Sequence, residues 1–184
     1  MITALLVDPV VQRALTGAAA LLFLSVSFHK LREPGGFQGA LAAYRVLPDR
    51  AVPAAARLIP AAELAIATLC LMPDRAAIGC IAGAGLIACY SAAIGLNLAR
   101  GRRQIDCGCG GLAGDQPLSP GLLTRNAALI GLLLCAALPE SQRPLVWLDA
   151  ISTGGLLCAL ALLHAALDVA LANAARLRPE GGTV

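Results

Sequence analysis

Two cysteines one residue apart, Cys107 and Cys109, lie in residues 99–120, the most polar and glycine-rich interruption of an otherwise oily chain. The chemistry open to such a pair is thiol–disulfide exchange, in which a thiolate attacks a disulfide sulfur and a second thiol resolves the mixed disulfide. Bridging cysteines this close together requires a bent backbone, because a disulfide holds its α-carbons roughly 4.4–6.8 Å apart. Gly108 between them and Gly110-Gly111 after them supply that freedom. A ring so small is strained, and strained disulfides are the labile, exchanging kind. Arg102 and Arg103 upstream favour the thiolate, while Asp106 opposes them. Two readings stay open here: an exchanging dithiol, or a tight turn that merely tolerates its cysteines. A closed zinc site needs about four ligands; this loop offers Cys107 and Cys109 with no histidine nearby, so no metal is expected.

Three further residues stand out because they are ionisable inside apolar runs. Glu63 sits well within one run, and ionisable groups at that depth are costly and mark functional or paired structural sites. His164 and Asp168 are four residues apart in another, hence on one helical face. They form either a polar cluster with Glu63 between helices or a pair reaching toward the membrane surface. His29 and Lys30 close the first apolar run, and Tyr44 and Arg45 lie in the connection after it; all four are expected at the membrane interface. Cys70, Cys80 and Cys135 fall near the ends of apolar runs on the opposite side from the cysteine loop. They are either a second dithiol or, more simply, packing residues that behave as small hydrophobes. No cofactor-binding motif is found, and no cofactor is expected.

The elements that must position these residues are membrane helices. Hydrophobic residues make up 58% of the 184 and charged residues 14%, and the apolar excess falls in long runs. The predicted class is all-α, a polytopic bundle of about five transmembrane helices in a single membrane domain over residues 1–184. The spans lie at about 10–27, 53–72, 76–98, 121–138 and 145–171, followed by a polar tail. Between the first two, Phe37, Leu41, Tyr44 and Leu47 share one face, which predicts a short amphipathic helix that starts after Pro34-Gly35-Gly36 and stops at Pro48. Pro60 is expected to kink the second span. Gly17-Ala18-Ala19-Ala20 and the Gly79/Gly83 pair are faces small enough for another helix to approach closely. Pro73-Asp74-Arg75 makes a tight turn, so the second and third spans form a hairpin. Trp147 and Tyr44 are the expected interface anchors. The N-terminus does not read as a secretory signal, since its first charge is Asp8.

Charge gives an orientation. With five spans, one side receives the amphipathic connection, the cysteine loop and the tail, and with them eleven of the fourteen basic residues. The positive-inside rule therefore predicts a periplasmic N-terminus, with the tail and the Cys107/Cys109 loop in the cytoplasm. The net charge of +3 is spread through short gaps and signals no nucleic-acid partner; the expected partner is the lipid bilayer.

The order of these pieces is also a resemblance. Ser27-Phe28-His29-Lys30-Leu31-Arg32, Tyr44-Arg45-Val46-Leu47-Pro48, Glu63 and Asp106-Cys107-Gly108-Cys109-Gly110 together resemble the MauE family of methylamine-utilisation proteins. More distantly, the architecture is similar to DoxX-like membrane proteins. The resemblance implies an accessory protein of the bacterial inner membrane, with a thiol–disulfide oxidoreductase activity left open. It implies a role in processing, transport or maturation of the disulfide-rich small (beta) subunit of methylamine dehydrogenase, beside a thioredoxin-like partner of the MauD type. A membrane thiol:quinone oxidoreductase and a transport or export component are the alternatives.

Overall fold

The computed structural model describes residues 6–108 and 116–176, with side chains described as far as residue 174. Apolar runs become helices at nearly every expected place. Helix α1 spans Pro9–Arg32, α2 Pro34–Ala43, α3 Val52–Leu71, α4 Ala76–Ala99, α5 Pro120–Ala136 and α6 Trp147–Arg176. Short 3-10 turns, Asp49–Ala51 and Pro73–Arg75, lead into α3 and α4. The starts follow local chemistry. Pro9 opens α1 behind Asp8, whose side chain accepts from the Val10 N–H at 2.9 Å; Pro34 and Pro120 open α2 and α5.

Four of these helices, α1, α3, α4 and α6, are long and apolar enough to cross a membrane, the second and third counted with their leading turns. Helix α5 has 17 residues, or roughly 26 Å at about 1.5 Å per residue. It is shorter than the expected fourth span because the chain leaves the helix at Ala137, ahead of Pro139. Helix α1 is longer than expected. Phe28 to Arg32 continue it without a break, and the chain turns only where Pro34 forbids helical geometry at Glu33. Helix α2 likewise begins at Pro34 itself, not after Gly36, and ends at Ala43. Arg45 then takes a left-handed backbone conformation, φ 50°. Helix α3 runs on through Pro60.

Helices α1 and α4 both pack on α3; α6 lies against α1, and α5 against α4 and α1. Small residues set these approaches. A Cβ on Gly83 would stand 2.7 Å from the Phe23 ring, so α1 inserts that ring where α4 has no side chain. Gly17 on α1 faces Leu157 of α6. One apolar core, including Phe23, Ile66, Cys70, Cys80, Ile87 and Leu133, fills the end of the bundle near the Pro73–Arg75 turn. A second, with Tyr44, Ile94, Ile105, Cys107, Leu118 and Leu122, fills the other end, below the cysteine loop.

Candidate functional site

Two arrangements of reactive groups lie at and below that second end. The first is the neck of the cysteine loop. Residues 105–107 run antiparallel to 116–118: the Cys107 N–H donates to Gln116 O at 2.9 Å, and the Leu118 N–H to Ile105 O at 3.2 Å. The Asp106 carboxylate accepts from the Gln116 N–H at 3.0 Å, so it serves the neck. On the other side the Tyr44 hydroxyl donates to the Cys107 carbonyl at 3.0 Å. Gly108 follows with φ +68°, a left-handed conformation that favours glycine, and a Cβ there would press to 3.3 Å from the Ala40 Cβ. Gly108 therefore lies against the face of α2 that carries Phe37 and Ala40. Cys107 is 7% exposed. Cys109 lies outside the described residues.

Arg102 does not face outward. Its guanidinium donates to Ala43 O at 2.8 Å, to Asn97 Oδ1 at 3.1 Å and to Tyr44 O at 3.4 Å, which ties the end of α4 to the end of α2. Tyr44, expected as an interface anchor, is buried in this seam instead, whereas Trp147 is 77% exposed at the start of α6. Arg45 and His29 are exposed.

The second arrangement is polar and lies inside the bundle. Glu63 is 0% exposed, and its Oε1 meets Lys30 Nζ at 2.5 Å and accepts from the Tyr90 hydroxyl at 2.7 Å. Lys30 also lies over the Phe37 and Tyr90 rings, at 4.7 and 4.9 Å from their centroids, so the cation is enclosed by two aromatic faces. The expectation that Lys30 sits at the interface is corrected here. It lies on the inner face of α1, next to Ser27, whose hydroxyl donates to Pro60 O at 2.9 Å. The driving force is the buried carboxylate, which needs a cation more than the ammonium needs headgroups. Oε2 of Glu63 has no hydrogen-bond partner among the described residues.

Asp168 pairs not with Glu63 but with Arg125, Nη1 to Oδ1 2.6 Å, and both side chains are buried. His164 Nε2 stands 3.5 Å from the other Asp168 oxygen, one helical turn away as its spacing requires. Arg125 also donates to Asn126 Oδ1, and the Asn126 amide donates to Ser91 Oγ at 3.1 Å, so α4, α5 and α6 are joined by one polar chain. Glu63 and the His164/Asp168 pair do share a space: a cavity of about 410 Å³ lined by Glu63, Tyr90, Arg125, Asn126, His164 and Asp168. A neighbouring apolar groove between α1, α5 and α6 shares Leu22, Ser25, Arg125, Leu129 and His164 with it. His29 and Arg32 also line this chamber, and Lys30 stands on Glu63 at its edge, so its charged groups are both acidic and basic.

Tyr90, Arg125 and Asn126 escape a reading of the sequence. Arg125 counts there as a membrane-surface charge, yet its place five residues into an apolar run is the signal of an internal partner. At the other end of the bundle the Cys70 and Cys80 sulfurs come to 4.0 Å.

The sequence profile of the family described as Methylamine utilisation protein MauE matches residues 8–139, from the cap of α1 to the end of α5. A protein named Methylamine utilization protein MauE from Paracoccus denitrificans is 39% identical over 132 residues, covering 72% of this chain and 71% of its own. Those of the same name from Paracoccus versutus and Methylorubrum extorquens are 38% and 37% identical, covering 74% and 70% of this chain and 74% and 69% of their own. No solved structure matches.

Proposed function

Because this chain belongs to the MauE family of methylamine utilisation proteins, we propose that it is a membrane-embedded helper in maturation of the methylamine dehydrogenase small subunit. It acts by thiol–disulfide exchange at Cys107 and Cys109, with a thioredoxin-like protein as partner and the disulfide-rich subunit as client. The observation that carries this reading is the fixed backbone around Cys107. Its N–H is held by Gln116 and its carbonyl by Tyr44, and Gly108 directly after it is left-handed and packed against Ala40. An exchange centre needs one thiol held still while its neighbour resolves the mixed disulfide.

Orientation follows from charge in the same proposal. Lys30 and Arg125 point into the bundle, which leaves nine basic residues on the loop side against three on the other. The excess still favours a cytoplasmic loop and tail and a periplasmic N-terminus, in a single domain of the bacterial inner membrane. The test is maturation itself. Cys107→Ser or Cys109→Ser, expressed in place of the native chain, lowers the amount of correctly bridged small subunit. Full maturation with both serines and a normal level of the membrane protein would overturn the reading.

A second reading, a thiol:quinone oxidoreductase, draws on the polar chamber and its apolar groove, which suit a polar head and an isoprenoid tail. It requires the purified protein to oxidise a dithiol to a disulfide while reducing quinone to quinol. No turnover by a well-folded sample counts against it.

A further inference from the structure

Helices α3 and α4 are joined by the three-residue turn Pro73–Arg75, with Cys70 in the last turn of α3 and Cys80 in the second turn of α4. Their sulfurs are 4.0 Å apart, and the residues are 3% and 0% exposed. The backbones are close here because Gly79 carries no side chain. A Cβ at that position would lie 2.7 Å from the Cys70 nitrogen, 2.9 Å from the Leu69 Cβ and 3.0 Å from the Cys70 sulfur. Buried cysteines in apolar helices are usually small packing residues. Two features set this pair apart: the thiols face each other, and the glycine beside them holds the two backbones in contact. Cys89 and Cys158, by contrast, are exposed on the bundle's outer surface, while Cys135 packs beside the same core.

We infer that Cys70 and Cys80 are a second redox pair, which closes into an intrachain disulfide across the α3–α4 hairpin. A bond of about 2.05 Å needs the sulfurs to approach by rotation about χ1, within a hairpin whose backbones are already in contact. Closure removes two protons and two electrons from the thiols. The oxidant is a protein disulfide at the membrane face of the Pro73–Arg75 turn; its S–S bond breaks, and its two sulfurs leave as thiols. Burial of both cysteines sets the order of events: the oxidant meets them before α1 and α5 close over the hairpin. The geometry stands without the orientation proposed above, which serves only to make the oxidising compartment the periplasm.

The experiment is disulfide mapping of the full-length chain in a Cys89→Ser background, so that the peptide beginning at Ala76 carries one cysteine. Membranes are quenched with N-ethylmaleimide in SDS, without reductant, and the peptides are sequenced by mass spectrometry. The expected result is a linked peptide pair joining Cys70 to Cys80 that separates on reduction. Maleimide on both cysteines before reduction overturns the inference, as does a link from either one to Cys135 in place of the pair. Gly79→Ala tests the geometry, because its Cβ drives the hairpin apart: the cross-link is lost while the protein remains in the membrane, and an undiminished cross-link contradicts the close-approach argument. The Cys107→Ser/Cys109→Ser variant keeps the Cys70–Cys80 link whatever happens to client maturation, so the two proposals fail separately.

Discussion

Lys30 of α1 and Glu63 of α3 form an ion pair of 2.5 Å with both side chains buried, 3% and 0% exposed, and Tyr90 of α4 closes it from a third helix. One such group alone at membrane depth costs about 2.5–3.5 kcal/mol on insertion scales. Paired, the two fix the register of α1 on α3, because neither helix can slide without stranding a charge. Arg125 and Asp168 do the same for α5 and α6.

Removing one partner of the first pair is therefore far worse than removing both. Glu63→Leu or Lys30→Met alone should lower stability by about 3–5 kcal/mol. The double variant Lys30→Met/Glu63→Leu should recover most of that loss. Thermal or denaturant unfolding in detergent measures it. If the double variant is also inactive in client maturation, the pair has a role beyond register.

Glycines on α4 divide by what lies over them. Gly83→Ala puts a Cβ 2.7 Å from the Phe23 ring, whereas at Gly85 nothing stands within 4 Å. Gly83→Ala should cost about 1–3 kcal/mol through overpacking. Gly85→Ala should be neutral or stabilising, since alanine is the better helix former by about 1 kcal/mol. Melting temperatures of the two variants check the contrast.

Acid tests the clamp at the start of α1. Arg143 donates to Asp8 at 3.0 and 3.2 Å and to Asp149 at 2.8 and 3.0 Å. The hydrogen bond from Arg143, and then that from the Val10 N–H, hold the Asp8 carboxyl below its ordinary value of 3.8. A lowered carboxylate contributes stability that is present above its unfolded pKa and lost as pH falls through the folded one. Arg143→Gln should therefore melt earlier than the native chain at neutral pH. The gap should narrow once pH drops below about 3.8, and a gap constant across that range would refute the assignment.

Orientation is checked with single reporter cysteines in a chain otherwise free of them. Asp74 and Arg50 are exposed at opposite ends of the α3 region. In intact cells an impermeant maleimide should label Asp74→Cys at once, and Arg50→Cys only after the inner membrane is opened. The reverse pattern would place the cysteine loop in the periplasm.

Helices were the legible part of this sequence, because an apolar run of membrane length has one low-energy structure in lipid. Their ends were less so. The Phe28–Arg32 segment reads as a charged exit from the membrane, yet it continues α1 and turns Lys30 inward. Partners 33 and 43 residues apart, Lys30 with Glu63 and Arg125 with Asp168, depend on how helices rotate against one another, which local spacing does not encode. His164 and Asp168 were legible as a pair because their link is one helical turn. Tyr44 reads as an anchor from its ring and polar tip, but the Cys107 carbonyl claims its hydroxyl.

The central claim is that the loop thiols exchange with a protein disulfide, and trapping the exchange intermediate tests it most directly. With Cys109→Ser or Cys107→Ser, the remaining thiol can attack but its intermediate cannot be resolved within the loop. Acid-quenched cells run on a non-reducing gel should show an adduct, sensitive to reductant, between this chain and the thioredoxin-like partner or the small subunit. It should be absent when both cysteines are serine. No adduct from either single variant, with both proteins present at normal levels, would contradict the account.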